Sequence, residues 1–210
     1  MSDELDLGIA LADVRKAYRL LWCYQKRVFD ILRLIVSEFD DRRFYYWRSA
    51  HTDPPAGSGS DPTERWTWDM LPMVEASYLY LQRGVFDPNS TQPGQWMLEV
   101  KVTSDTGFKD PGQGRDPDPE DFAAAPQSNS SISIYAWYCT GATTLNWFYG
   151  VWKRLVRPEI DGELVESAAP PFRVVGKTFD IATLIDKDAV RAAASEFKTM
   201  ASKALGVALV

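Results

Sequence analysis

The stretch VEASYLYLQ, residues 74–82, decides the fold class because its side chains divide between two alternating faces. One face carries Val74, Ala76, Tyr78 and Tyr80, and the other carries Glu75, Ser77, Leu79 and Leu81. A period of two is typical of a β-strand. The stretch QWMLEVKVTS, residues 95–104, alternates in the same way. Because turn-forming residues separate the two stretches, we predict an antiparallel hairpin.

A long helix is predicted before this hairpin and a shorter helix at the end of the chain. Over residues 5–39, apolar residues recur at alternating spacings of three and four, interrupted only by Gln25. This heptad pattern predicts a helix about 50 Å long. Its wide apolar stripe favours packing within one chain, with self-association through the helix as the alternative. Asp186 is placed to cap the closing helix, whose apolar face is rich in alanine.

Further strands are predicted at FYYWRS (44–49), SISIYAWYC (131–139) and FRVVGKTFDIATL (172–184), whereas TLNWFYGVWKRL (144–155) fits a helix or a strand. Because no helices intervene between most of these strands, an alternating βαβ fold is excluded. We predict one α+β domain over residues 1–210. An antiparallel sheet of four to six strands would carry the N-terminal and C-terminal helices on one face.

The composition narrows the classes of function. The chain has 23 Lys and Arg against 29 Asp and Glu, a net charge of −6, which disfavours nucleic acid except at a local groove. The first residues lack the pattern of a secretory signal, and no apolar stretch approaches the ~20 residues of a membrane span. We therefore expect a cytoplasmic protein without a membrane partner, in which Cys23 and Cys139 are buried free thiols.

Residues that usually carry catalysis are scarce. The chain has one histidine, His51, and no GxSxG or GxGxxG motif, so triad hydrolysis and dinucleotide binding lack support. One histidine and two distant cysteines cannot supply a usual zinc site. The string VVGKT (174–178) lacks the upstream glycine of a phosphate-binding loop and is interpreted as a strand with a glycine bulge. We expect neither an enzyme nor a bound cofactor.

The motif Glu99-Val100-Lys101 is the candidate catalytic feature. On a strand, its carboxylate and ammonium lie on the same face, about 7 Å apart. The motif resembles the active-site signature of restriction-endonuclease-like, PD-(D/E)xK, nucleases. That resemblance implies Mg²⁺-dependent phosphodiester hydrolysis, with Asp87, Glu75 or Asp69 as the further acid. The structural alternative is a charge pair on the face of a sheet.

An excess of aromatic residues, with eight tryptophans, is the other candidate for function. Tryptophans belong to the core in many domains, but exposed tryptophans bind ligands or partner proteins. The candidates for such binding are Trp66, Trp68, Trp147 and Trp152. We favour a non-catalytic interaction or assembly module that acts through protein–protein contacts, with another protein or a second copy as the partner. The alternatives are the Mg²⁺-dependent nuclease and a domain that binds a small molecule or a sugar.

Overall fold

The structure, a computed structural model, describes residues 2–51, 74–84, 87–112 and 117–209, with side chains from residue 9 onward. Its helices and strands are α1 (Ser2–Ser37), β1 (Arg42–Ser49), β2 (Glu75–Gln82), β3 (Trp96–Thr103), β4 (Ser131–Cys139), β5 (Leu164–Ala168), β6 (Pro171–Asp180) and α2 (Lys187–Leu205). Within these ranges, six strands form one antiparallel sheet in the order β1-β2-β3-β4-β6-β5. The predicted α+β class and the hairpin of β2 and β3 are confirmed.

Both helices pack on one face of the sheet, which we call the helical face. Their buried side chains join those of the strands in one apolar cluster, to which the helices contribute Val28, Ile31, Leu32, Ile35, Val190, Ala194, Phe197 and Ala201. Full burial of an aliphatic side chain of this size contributes about 1.5–3 kcal/mol. Asp186 caps α2 as predicted, because its side chain accepts a hydrogen bond from the backbone N–H of Ala189.

The opposite face of the sheet, which we call the second face, is covered by a short π-helix, Trp147–Trp152. This helix lies in the segment whose sequence fits a helix or a strand. Asn146 starts it, because its side-chain oxygen accepts hydrogen bonds from the backbone N–H groups of Phe148 and Tyr149. Trp147, Phe148 and Val151 are buried against Leu79, Met97, Trp137 and Val174 of the strands. The sheet therefore has an apolar layer on each side.

The edge strand β1 contains a bulge that redistributes its aromatic residues. Phe44 pairs with Tyr80, but Tyr46 pairs with Leu79, so one extra residue lies between them. A bulge of this kind places two successive side chains on the same face. Tyr45 and Tyr46 accordingly contact the π-helix on the second face, where Tyr46 packs on Phe148 with ring centroids 4.0 Å apart. Phe44 and Trp47 both lie on the helical face.

Gly176 lies in a regular part of β6, so the predicted glycine bulge is absent there. It pairs with Tyr135 of β4 in an uninterrupted register. The Tyr135 ring lies directly over Gly176, because a Cβ atom at that position would lie 2.3 Å from Cδ1 of the ring. The glycine therefore provides space for an aromatic side chain on the second face.

Replacing Gly176 by alanine is expected to destabilise the fold. The new methyl group would also lie 2.4 Å from Cε1 of Tyr135, so the ring has to move. We expect the free energy of unfolding to fall by about 1–3 kcal/mol, the usual effect of overpacking. Denaturant unfolding measures this change.

Two further variants control this prediction. Gly84→Ala introduces a methyl group that meets nothing within 4 Å, so its effect should stay within about 0.5 kcal/mol. In a Tyr135→Ala background, Gly176→Ala should cost much less than in the wild type, because the ring is gone. An equal loss in both backgrounds would contradict the explanation.

Candidate functional site

The first part of α1 extends away from the other described helices and strands. From residue 9 to residue 23, no described side chain is buried, and only Ala12 and Leu21 are partly buried. Tyr24 contacts the end of β3, because its hydroxyl donates a hydrogen bond to the hydroxyl of Ser104 at 3.0 Å. We call residues 2–23 of α1 the arm. Its 22 residues span about 33 Å.

The arm carries a row of exposed apolar side chains on one face. Leu11, Val14, Tyr18 and Trp22 are spaced three or four residues apart, so they are neighbours along the helix surface. Tyr18 is 73% exposed and Trp22 is 63% exposed. Exposed apolar side chains that form one contiguous patch are typical of protein interaction sites.

This row leads into a groove between α1 and the edge of the sheet. The groove has a volume of about 490 Å³ and is lined by Gln25, Phe29, Leu32, Arg33, Phe44, Trp47, Tyr78 and Tyr80. Phe44 and Trp47 both reach it because of the bulge in β1. Their rings pack on tyrosines, with Trp47 stacked on Tyr78 at a centroid distance of 6.3 Å. The groove is therefore aromatic, with polar groups only at a few positions.

The polar groups of the groove lie among these rings. Burial raises the pKa of Tyr78, and it also raises the pKa of Tyr80, an effect that the nearby charge of Arg33 opposes. Both hydroxyls are therefore neutral hydrogen-bonding groups at neutral pH. Arg33 holds an exposed ion pair with Asp30 at 2.8 Å. The groove thus offers an apolar floor, two phenols, one amide and one cation to an occupant.

The structure places the carboxylate of Glu99 in the interior, under the π-helix segment. Glu99 is fully buried on β3. Arg157 donates from Nη2 to Oε1 at 2.7 Å and from Nε to Oε2 at 3.1 Å, so the contact is bidentate. Trp137 donates from Nε1 to Oε2 at 2.8 Å. Both carboxylate oxygens are therefore occupied by partners within the chain.

Arg157 is held over the second face by aromatic rings. Its guanidinium carbon lies 5.0 Å from the centroid of Trp152 and 5.7 Å from those of Tyr135 and Trp137. Burial lowers the pKa of Arg157, but the charge and hydrogen bonds of Glu99 offset this, so the pKa is raised overall. The ion pair joins a fully buried carboxylate to a partly exposed guanidinium, which cation–π contacts also support.

Lys101 does not share a site with Glu99, although both lie on the second face. Its ammonium lies 2.9 Å from Oε1 of Glu75, which is on the neighbouring strand. His51 lies 3.8 Å from the same oxygen, and its Nδ1 contacts Asp110 Oδ2 at 2.9 Å. These groups form a partly exposed polar cluster that connects β2 and β3 with the loop after β3.

The other acids proposed for a metal site are not brought to Glu99. Asp87 lies in the connection between β2 and β3, where its side chain accepts a hydrogen bond from the N–H of Asn89. Glu75 is at the opposite end of that hairpin, because it pairs with Thr103. Asp69, Trp66 and Trp68 lie outside the described residues. Within the residues that are described, no group of three or more His, Cys, Asp or Glu is arranged to hold a metal ion.

Two predicted ligand-binding tryptophans belong to the apolar layer of the second face. Trp147 is fully buried and packs edge-on against Phe172 at 5.4 Å. Trp152 is partly buried and stacks on Phe148 at 5.1 Å. The exposed aromatic residues are others, among them Tyr18 and Trp22 on the arm and Phe44 in the groove. The heptad pattern contains a signal for Tyr18, but no sequence signal shows which part of the stripe stays uncovered.

Comparisons with known proteins place the chain in a family. A protein-family profile described as PM0109 matches residues 4–206. The chain belongs to the PM0109 family. A PM0109 relative from Pasteurella multocida (strain Pm70), named "Uncharacterized protein PM0109", is 28% identical over 218 residues, covering 95% of this chain and 96% of the relative. No solved structure matches the chain.

The PM0109 match includes nearly all of the arm as well as the sheet and α2. No helix among the described residues is both long enough and apolar enough to cross a membrane.

Removing Arg157 is expected to destabilise the protein strongly. In Arg157→Ala, the carboxylate of Glu99 stays buried without its cation, a situation that costs about 3–5 kcal/mol of unfolding free energy. Arg173→Ala is the matched control, because Arg173 pairs at 2.7 Å with Glu166 on a partly exposed surface. We expect that control to lose less than about 1 kcal/mol. Similar losses for both variants, measured by denaturant unfolding, would show that the Glu99 pair has no special role.

Proposed function

We propose that this chain is an assembly module that acts through protein–protein contacts made by the arm and the adjoining groove. The observation that carries the proposal is the exposed row Leu11, Val14, Tyr18 and Trp22, which continues into the aromatic groove. Tyrosine and tryptophan are enriched among the residues that dominate binding energy in interfaces. A partner that covers the row would therefore gain from both of them.

The physical state of the arm supports this proposal. Most helices in proteins depend for their stability on packing of an apolar face against another part of the structure. The arm has such a face, but within the described residues nothing from the same chain covers it. A partner that packs on this face would supply the burial that the arm lacks. The free energy of binding would then also stabilise the arm as a helix.

A small-molecule or sugar-binding role is the second candidate, and the groove favours it. A volume of about 490 Å³ falls within the range of ordinary ligand pockets. Stacked aromatic rings beside an amide and a guanidinium suit a flat or cyclic ligand with polar edges. The exposed row on the arm has no part in such a role, because it lies outside the groove. The assembly role accounts for both features and is therefore preferred.

The nuclease hypothesis receives no comparable support from the described contacts. It requires the carboxylate of Glu99 to bind a metal ion together with a second acid. The oxygens of Glu99 instead accept hydrogen bonds from Arg157 and Trp137, and Lys101 pairs with Glu75.

Site-specific photo-crosslinking tests the assembly role. A photoreactive phenylalanine analogue would replace Tyr18 in the cells that naturally produce the protein. Tyr149 is the matched control, because it is 60% exposed on the opposite side of the sheet. We expect a defined covalent adduct from position 18 and none from position 149, with the partner identified by mass spectrometry. The absence of any adduct from position 18 would contradict the proposal.

A further inference from the structure

We infer that the partner is a second copy of this chain and that the two arms pair in antiparallel orientation. This inference rests on the proposed assembly role and specifies its partner. The arm's face, its charges and the position of the groove each support it.

The charges along α1 are divided into two blocks of opposite sign. Residues 3–13 contain four acids and no Lys or Arg, a formal charge of −4. Residues 15–27 contain five Lys and Arg and no acid, a formal charge of +5. In an antiparallel pair, each acidic block faces the basic block of the other copy. A parallel pair would place like charges side by side, which is unfavourable.

The apolar row fits the same antiparallel arrangement. A two-fold axis near residue 16 places Leu11 of one copy beside Leu21 of the other, and Val14 beside Tyr18. In both pairs, heptad position a of one helix lies beside position d of the other, as in the core layers of an antiparallel coiled coil. The contact is isologous, because the same surface is used on both copies, and such contacts close at two subunits.

In this dimer, the N-terminal end of the second copy's arm lies next to the groove. In this alignment, the first two turns of the second copy's helix run beside residues 25–29, and Gln25 and Phe29 belong to the lining of the groove. Lys26 and Arg33 are nearby on α1, so the acidic block of the second copy meets cations there. The arm and the groove therefore form one continuous surface in the pair.

The row and the groove both contribute apolar area to the interface of this dimer. A standard interface buries about 800 Å² on each partner. Tyr18 and Trp22 supply about 150–250 Å² each when they are covered. Leu11, Val14, Phe29 and the ring edges of the groove add to this area on each copy.

Sedimentation equilibrium on the purified full chain tests the dimer. We expect the wild type to have twice the mass of one chain at micromolar concentration. Tyr18→Glu should weaken self-association by roughly 30-fold or more, because it places a charge in the centre of the row. Leu20→Glu is the matched control. Leu20 is 70% exposed but lies about 200° around the helix from Tyr18, so its substitution should leave the dimer intact.

Cysteine crosslinking tests the orientation. In a Cys23→Ser background, Leu11→Cys and Leu21→Cys chains would be prepared separately, tagged differently, mixed and oxidised. An antiparallel pair predicts disulfides between the two variants and few within either one. A parallel pair predicts the reverse, and that result would overturn the inference.

These outcomes also separate the inference from the assembly role itself. A monomeric wild type would overturn the second copy as partner. If position 18 nevertheless crosslinks to a different protein in cells, the assembly role stands with another partner. If the purified chain is monomeric and position 18 yields no adduct, both proposals fail. A dimer that Leu20→Glu disrupts as much as Tyr18→Glu would show that the row is not the interface.

Discussion

The buried carboxylate of Glu99 is the constraint on which the second face of the sheet depends. A charge on the central strand β3 has no access to water, so the chain must bring a cation to it. That cation is Arg157, which follows the π-helix by five residues and is enclosed by rings from both the sheet and Trp152. The ion pair therefore holds this segment on the sheet. The two helices, α1 and α2, pack on the opposite, helical face.

The helix α1 shows how one apolar pattern serves two environments. Its later part buries Val28, Ile31 and Ile35 against the sheet. Its earlier part has side chains of the same kind, but among the described residues no strand covers them. Burial in a core and pairing with another chain require similar apolar faces. The position of the sheet edge decides which role each half has.

The spacing of apolar residues in the sequence predicted the helices and strands well, but it did not predict contacts between residues far apart in the chain. The hairpin, the closing helix with its Asp186 cap, and the long first helix follow from spacing within short stretches. The contact of Glu99 with Arg157 joins residues 58 positions apart in sequence, and no local sequence pattern predicts it. The bulge at Tyr45 was equally hidden, because FYYW alternates plausibly without one. The groove depends on that bulge and on where α1 crosses the sheet, so it could not be predicted either.

The bulge in β1 also affects how the sheet ends. An edge strand with regular spacing presents unpaired backbone groups that can template open-ended strand addition and aggregation. The extra residue at Tyr45 interrupts that spacing, and Arg43 beside it adds an exposed positive charge. The bulge therefore disfavours the regular addition of a further strand to β1. The protein can expose its aromatic groove next to this edge with a reduced tendency to form fibres.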